Sequence, residues 1–470
     1  MSLPEGWAEA ELFDIADLHD NKRVPLNAAQ RAEMPGDFPY YGANGQVGSV
    51  GDFLFEGKHI LVAEDGGHFD QPERGVAYEV DGRFWVNNHA HILSTCGDIP
   101  TGYITRLLNT LDWLQYVSGT TRLKLTQGGM KRIKFPLPPL AEQRRIVAKL
   151  DALTARLTRA GKELDRVPVL AERMRQAAVK DAFAGALTTK WRDDNPGHSA
   201  ASLDDTAEAY VSLAGVMRRK PTAEIDWKPE IELPEGWRWA SIDELIAAAQ
   251  YGSSSKTSDD DSGVPVFRMG NIQRGDLDWT NLKFLPSDHS EFPGLFLDEG
   301  DVLFNRTNSF ELVGKSAVFR GHERPVSYAS YLIRLKCSAI LPDLLARYIN
   351  SPYGRAWIDK VASQQVGQAN VNGTKLKALG IPLAPAEEQK EILRILDNAF
   401  ARADRLEAEA AKARALLDRM EAAILARAFR GELVPQDPAD EPASVLLDRI
   451  RAQRAAAPKP KRGRKKKADA

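Results

Sequence analysis

Residues able to do chemistry are sparse in this chain, and each near-match to a catalytic pattern fails at a specific position. Residues 313–316, VGKS, end like a phosphate-binding loop, in which backbone amides and a lysine cradle nucleotide phosphates, but Ser309 stands where the leading glycine is needed. Gly42, Gly45, Gly48 and Gly51 in YYGANGQVGSVG lack the G-x-G-x-x-G spacing and open no helix, which argues against a dinucleotide or adenosyl-cofactor cradle. His89 and His91 in NNHAHIL fall two apart on a predicted strand with no further zinc ligands nearby, and read as structural histidines rather than a metal site. Asp52, Glu56 and Lys58 faintly resemble a nuclease carboxylate pair, yet no second acidic cluster accompanies them. No Asn-Pro-Pro-aromatic signature of base methylation occurs. No catalytic residue and no metal ligand is therefore assigned.

What the side chains could do instead is read. Arg, Lys, Asn and Gln carry the hydrogen-bonding groups that match guanine and adenine edges in the major groove of DNA. Tyr40, Tyr41, Asn44 and Gln46 stand in Gly-rich sequence, and Arg122, Lys124, Lys131 and Arg132 lie in a stretch, 119–134, with no acidic residue. Further on, Arg268, Asn271, Gln273, Arg274, Asn305, Arg306 and Asn308 occupy predicted strand ends, followed by an amide-rich loop with Gln364, Gln365, Gln368 and Asn370. Any one of these alone reads as a solvated loop residue. Two clusters at matching places in the chain favour nucleic-acid recognition.

The places match because the chain repeats itself. FPLPPLAEQRRIVAKLD at 135–151 returns as IPLAPAEEQKEILRILD at 381–397, with 8 of 17 residues identical at an offset of 246. LPEGW occurs at 3–7 and 233–237, and RMRQAAVKDAFAGALT from Arg173 returns as RMEAAILARAFRGELV from Arg419, again 246 residues later. Each half therefore reads LPEGW, a variable block, a Pro-rich exit, a long helix, then AF-x-G-x-L. The blocks differ in length while the helices do not. GKHILVAEDG at 57–66 and GDVLFNRTN at 300–308 are short apolar runs ending in turn residues, which predict strands entering loops and blocks of mixed α and β. The glycines of YYGANGQVGSVG predict tight loops.

The helices are predicted at 141–183 and 387–429. Ile146, Leu150, Leu153 and Leu157 in the first, and Ile392, Leu396, Leu406 and Leu417 in the second, fall on a seam of alternate fours and threes, the pattern of helices packing lengthwise. Packing of each helix on its own block alone, or onto a second copy of the chain, stays open at this point. Gly431 stops the second helix, and Pro168 predicts a bend or break in the first. A polar, Pro-punctuated linker at 191–232 contains one short predicted helix, 203–219, and a similar helix at 445–455 closes the second half. Seven basic side chains between Lys459 and Lys467 form a tail with nothing to bury, expected to be disordered and able to add sequence-independent affinity for a phosphate backbone.

The totals fit this outline. A chain of 470 residues with 43% apolar and 27% charged residues is an ordinary soluble protein of two to four domains. The net charge of −2 does not announce a nucleic-acid binder, but DNA responds to local patches rather than sums. Two cysteines, Cys96 and Cys337, fit a reducing, cytoplasmic compartment and neither a disulfide framework nor a Cys-based zinc site. MSLPEGW carries no signal-peptide pattern, and no apolar run approaches the roughly 18 residues of a membrane span.

The doubled PLPPLAEQRRI and PLAPAEEQKEI, AFAGAL and AFRGEL, LPEGW opening each half, and GDVLFNRTN together resemble the specificity subunits of type I restriction–modification systems, over nearly the whole chain. The resemblance implies an α+β protein: two mixed α/β target-recognition domains joined by two long antiparallel, coiled-coil helices with pseudo-two-fold symmetry. It divides the chain into target-recognition domain 1 (1–140), spacer helix 1 (141–190), a linker (191–232), target-recognition domain 2 (233–386), spacer helix 2 (387–432) and a C-terminal helix with basic tail (433–470). It implies a bipartite, asymmetric target in double-stranded DNA. It also implies partners, two methyltransferase subunits that bring S-adenosylmethionine and restriction or motor subunits that use ATP and Mg²⁺, with no cofactor in this chain. Two other readings stay open at this stage: a standalone DNA-modifying enzyme with an unrecognised site, and a coiled-coil protein–protein scaffold.

Overall fold

LPEGW and the Pro-rich exit recur together because they are neighbours in space. The computed structural model describes residues 3–71, 74–202, 223–365 and 368–456. The strand after the first LPEGW, Ala8–Glu11, pairs antiparallel with Lys134–Leu137 of the exit, Ala8 opposite Leu137. In the second half Arg238–Ser241 pairs the same way with Gly380–Leu383. Beyond this neck the chain enters the helices Leu140–Leu164 and Ala386–Phe429, whose first turns send a glutamate back to the tryptophan of LPEGW. Trp7 Nε1 donates to Glu142 Oε2 at 3.0 Å, and Trp237 Nε1 to Glu388 Oε2 at 2.8 Å. The next residue braces the proline turn, with the Gln143 amide donating to the Pro138 carbonyl at 2.8 Å and Gln389 to Ala384 at 3.1 Å.

The chain divides into two compact units, residues 1–165 with 411–470, and residues 166–410. Each holds one block, the start of that block's own helix and the end of the other helix. The two blocks share a topology that their sequences hide. The first has a four-stranded antiparallel sheet in the order Ala16–Leu18, Ala90–Thr95, His59–Ala63, Ala77–Val80. The second has Ile246–Tyr251, Leu332–Cys337, Val302–Asn305, Ser316–Val318, the same order of first, last, second and third strand. His59–Ala63 and Val302–Asn305 are apolar almost throughout because these central strands are buried. A second sheet in each block contains one parallel pair, Phe38–Gly42 with Arg83–Val86 and Val264–Phe267 with Ser327–Tyr328. One amphipathic helix, Thr101–Leu108 or Pro342–Ile349, covers each core with Tyr103, Ile104 and Leu107, or Leu344, Leu345 and Tyr348.

The first long helix is broken as its proline requires. Leu140–Leu164 ends, and Val167–Phe183 begins with Pro168 in its first turn. Pro168 has no N–H to donate, and its ring would clash with the Leu164 carbonyl in a continuous helix. The second, Ala386–Phe429, is unbroken over 44 residues. In each unit the two helices run antiparallel. In the first unit Leu150 shares a core with Ala428, while Asp165 meets Arg414 at 3.6 Å. In the second, Phe183 shares a core with Ile392 and Leu396, while Arg175 donates to Glu407 at 2.9 Å.

The leucine seam needs correction. Ile146 and Leu150, and Ile392 and Leu396, are buried in the cores of the two blocks. Leu153, Leu157 and Leu417 are only half-buried, and Leu406 is 47% exposed. Small residues, Gly161, Ala171, Ala403 and Ala410, are the buried ones along the middle. A two-per-heptad pattern marks one face of a helix, but does not say how much of that face a block covers. A second correction concerns YYGANGQVGSVG, which forms the hairpin Phe38–Gly42 and Gly45–Val50 rather than loops. The C-terminal helix, Ala443–Ala456, packs Leu446, Leu447 and Ile450 into the core of the first unit. The expected linker helix at 203–219 and the basic tail lie outside the described residues.

Candidate nucleic-acid interface

In both blocks the buried central strand runs out of the core into a polar edge. In the first, His59–Ala63 continues into Glu64 and Asp65, and Asp65 bridges to Lys124 on the hairpin Val117–Ser118 and Lys124–Leu125. Arg122 Nη2 donates to Asp65 Oδ1, which also meets His89 Nδ1 at 2.7 Å, and Lys124 Nζ lies 3.1 Å from Glu64 Oε1. Asn44 Nδ2 donates to the Gly66 carbonyl at 2.9 Å, which ties the tip of the Gly-rich hairpin to the same edge. Gly119, at φ +101°, begins the loop that projects Arg122; a Cβ there would collide with the Arg122 carbonyl. Burial pushes the Asp65 carboxyl up, but His89 and Arg122 outweigh it and hold it below the usual carboxylate range.

Glu64 also belongs to a buried network. Arg23 Nη1 donates to Glu64 at 2.7 Å, while His91 meets Asp20 at 2.6 Å through Nδ1 and the Leu125 carbonyl at 3.0 Å through Nε2. Asp20, Glu64 and His91 lie close enough to share a metal ion. Arg23 and Lys124 already neutralise Glu64, though, and both His91 nitrogens are engaged, so a cation would have to displace a guanidinium. The arrangement is an ion-pair network that braces the edge. Asp52 and Glu56 form no such cluster: Asp52 caps the adjacent Phe53 N–H, and Glu56 pairs with Arg83 at 3.0 Å.

In the second block Val302–Asn305 continues through Arg306 into Thr307–Asn308, which pairs with Gln368–Asn370 and, through it, with Ser363–Gln365. Thr307 opposes Asn370 at the place where Asp65 opposes Lys124 in the first block. This ribbon joins two clusters that are far apart in sequence, Arg306 and Asn308 with Gln364, Gln365, Gln368 and Asn370. Asn370 Nδ2 donates to Thr307 Oγ1 at 2.9 Å. The Arg306 guanidinium stacks 5.0 Å from the centre of the exposed Tyr251 ring, and the Arg306 backbone N–H donates to the carbonyl of exposed Tyr331 at 3.0 Å. A β-ribbon of this kind is narrow enough to enter a major groove.

Not every expected reader faces outward. Tyr40 is buried with Val50 and Trp85, its hydroxyl bonded to the Leu26 backbone at 3.2 Å. Asn271 is buried and donates to the Asp278 and Thr280 carbonyls at 2.9 and 3.0 Å, and Asn305 is buried against the Met269 carbonyl at 3.3 Å. These three hold backbone together and are not available to a ligand. Composition cannot separate an amide that braces a turn from one that reads a base. Tyr41 is half-buried against Tyr78 and Phe84, and Arg268 is half-buried with Nη2 on the Asn281 carbonyl at 2.7 Å. Gln46, Lys131, Arg132, Gln273 and Arg274 are exposed, Lys131 and Arg132 at the end of the separate short helix Gln127–Lys131. The carboxylates Glu64 and Asp65, His89 beside them, and Tyr251 and Tyr331 are part of these edges and were not among the expected readers. Glu64 and Asp65 close the apolar run of 57–66 and His89 falls on a predicted strand, whereas nothing in the sequence marks Tyr251 or Tyr331.

A family model described as the type I restriction modification DNA specificity domain matches twice, at residues 4–166 and 234–413. The chain belongs to this family. It is 30% identical over 345 residues to the EcoKI specificity subunit of Escherichia coli K12, covering 71% of this chain and 67% of that one. It is 25% identical to the StySPI specificity subunit of Salmonella potsdam over 99% of both chains. Among solved structures, the HsdS subunit from Thermoanaerobacter tengcongensis superimposes with a TM-score of 0.54 at 21% identity, over 92% of this specificity subunit and 99% of that chain. A chain from a structure of type I restriction–modification complex assembly superimposes at 0.58 with 20% identity, over 92% and 100%. These two likenesses show a shared fold. No helix among the described residues is long and apolar enough to cross a membrane.

Proposed function

We propose that this chain is the DNA-reading, non-catalytic subunit of a type I restriction–modification complex, and that each block reads one half of an asymmetric, interrupted target. One observation carries the two-half reading: equivalent edges of topologically equivalent sheets bear different polar residues, Glu64, Asp65, Arg122 and Lys124 in one and Arg306, Thr307, Asn308 and Asn370 in the other. A shared scaffold with divergent edges suits two different half-sites, because sequence is specified by the side chains that contact base edges, and these are what differ. Two methyltransferase subunits would dock here and bring S-adenosylmethionine. Restriction or motor subunits would bring ATP and Mg²⁺, and the cytoplasm would be the site of action. The test is to map modified adenines in the host genome with and without this gene. Loss of one interrupted motif is the expected result, and an unchanged methylome would refute the reading. Purified chain alone, incubated with DNA, Mg²⁺ and labelled methyl donor, should show no turnover.

A further inference from the structure

Arg122 and Lys124 are the exposed cations of the first block's edge, yet neither is left to act as a free charge. Their side chains are 63% and 50% exposed, while the carboxylates that hold them, Asp65 and Glu64, are 15% exposed. Exposed ion pairs contribute little to stability, so holding the fold together is a weak reason for this arrangement. Geometry offers a better one. Asp65 is fixed from a second side by His89, whose backbone N–H donates to Asn87 Oδ1 at 2.8 Å. Arg122 therefore hangs from a rigid anchor by Nη2, with the rest of its fork toward solvent. A long, flexible side chain loses less entropy on binding when it is already held. The charge balance matters too. A phosphate clamp is served by uncompensated positive charge, whereas here Arg23, Lys124 and Arg122 are matched by Asp20, Glu64 and Asp65. A guanidinium with one position tied and its remaining donors free suits the O6 and N7 acceptors of guanine.

We infer that Arg122, positioned by Asp65, reads a guanine in the half-site of the first block. This rests on the proposed function and adds the base, the reader and the group that orients it. Arg122 is the specificity-determining residue; Asp65 is a positioning residue that acts through it.

The test uses the assembled complex with its methyltransferase partners, the methylated motif, and binding to duplexes carrying each single base-pair change across a range of salt. For Arg122→Gln, discrimination at one guanine of the first half-site should fall at least tenfold, with the second half-site unchanged. For Asp65→Asn, the same position should relax while binding to unrelated DNA rises, because the freed guanidinium can now take phosphates. Arg122→Lys should not restore the guanine preference, since an ammonium cannot make the forked contact. A uniform loss of affinity for all duplexes, with the salt slope reduced by about one, would make Arg122 a phosphate contact and overturn the inference. Relaxation in the second half-site, or no change in the motif, would overturn it as well. Wild-type complex that binds no interrupted motif would instead refute the proposed function itself, so the two failures are distinguishable.

Discussion

Glu142 and Glu388 hold the same place in the two repeats and are equally buried, at 1% and 0% exposed, yet their partners differ. Glu388 accepts from Trp237 at 2.8 Å and from Thr188 Oγ1 and Arg192 Nη1 at 2.6 Å each. Glu142 accepts from Trp7 alone; its Oε1 has no protein donor. The sequence explains the difference, because Val434 and Pro438 stand 246 residues after Thr188 and Arg192. Glutamine at 388 would turn an NH₂ toward another donor and leave Arg192 without its counter-charge, a change expected to cost about 3–5 kcal/mol, as for other broken buried pairs. Glutamine at 142 still accepts from Trp7 and removes a half-partnered buried charge, so its effect should stay within about 1 kcal/mol of zero. At about 2–4 °C per kcal/mol for domains of this size, Glu388→Gln should lower the melting of its unit by about 6–20 °C and Glu142→Gln should move its own by less than about 4 °C. Burial holds the Glu142 carboxyl above its ordinary 4.5, with the Trp7 hydrogen bond and Arg145 opposing it only in part. A raised acid contributes stability that is present below 4.5 and lost as pH rises through its folded value. Glu142→Gln should therefore gain on wild type as the pH rises above about 4.5. Differential scanning calorimetry of the full chain at several pH values measures both arms. Equal losses for the two substitutions, or a Glu142→Gln penalty of about 3 kcal/mol, would refute the reasoning.

Three further outcomes are expected. Replacing residues 3–136 with the corresponding block of another family member should change one half of the methylated motif only; a change in both halves would defeat the modular reading. Alanine at Ile392 or Leu396, both buried in the second core, should cost about 2–5 kcal/mol each, visible as a lower melting temperature or lost partner assembly. Ala386–Phe429 is about 66 Å long, and four residues inserted between Asp404 and Ala415 would add about 6 Å, close to two base pairs. If this helix sets the spacing, methylome mapping should show both half-sites kept and the gap widened by one or two base pairs; an unchanged gap with intact activity would mean that something else sets it.

The sequence by itself determined the elements whose causes are local or repeated. An offset of 246 residues fixed the doubling, and Pro168 fixed the break in the first helix through its missing N–H. Apolar runs located both central strands. The repeated tryptophan and glutamate were legible as a pattern, but only the fold shows that Trp7 bonds Glu142 and Trp237 bonds Glu388. Tertiary structure alone decided which polar residues face solvent. Asn305 and Asn308 are three positions apart and chemically identical, yet the first is sealed against Met269 and the second lies on the ribbon. Whether an amide is buried depends on a carbonyl that can come from 36 residues away, as it does for Asn305. The same holds for the edges themselves. Asp65 and Arg122 meet across 57 residues and Thr307 and Asn370 across 63, because sheet pairing, not chain proximity, brings them together. Side-chain type can suggest a reader, but only the long-range pairing of strands decides what stands beside it and whether it is free to read.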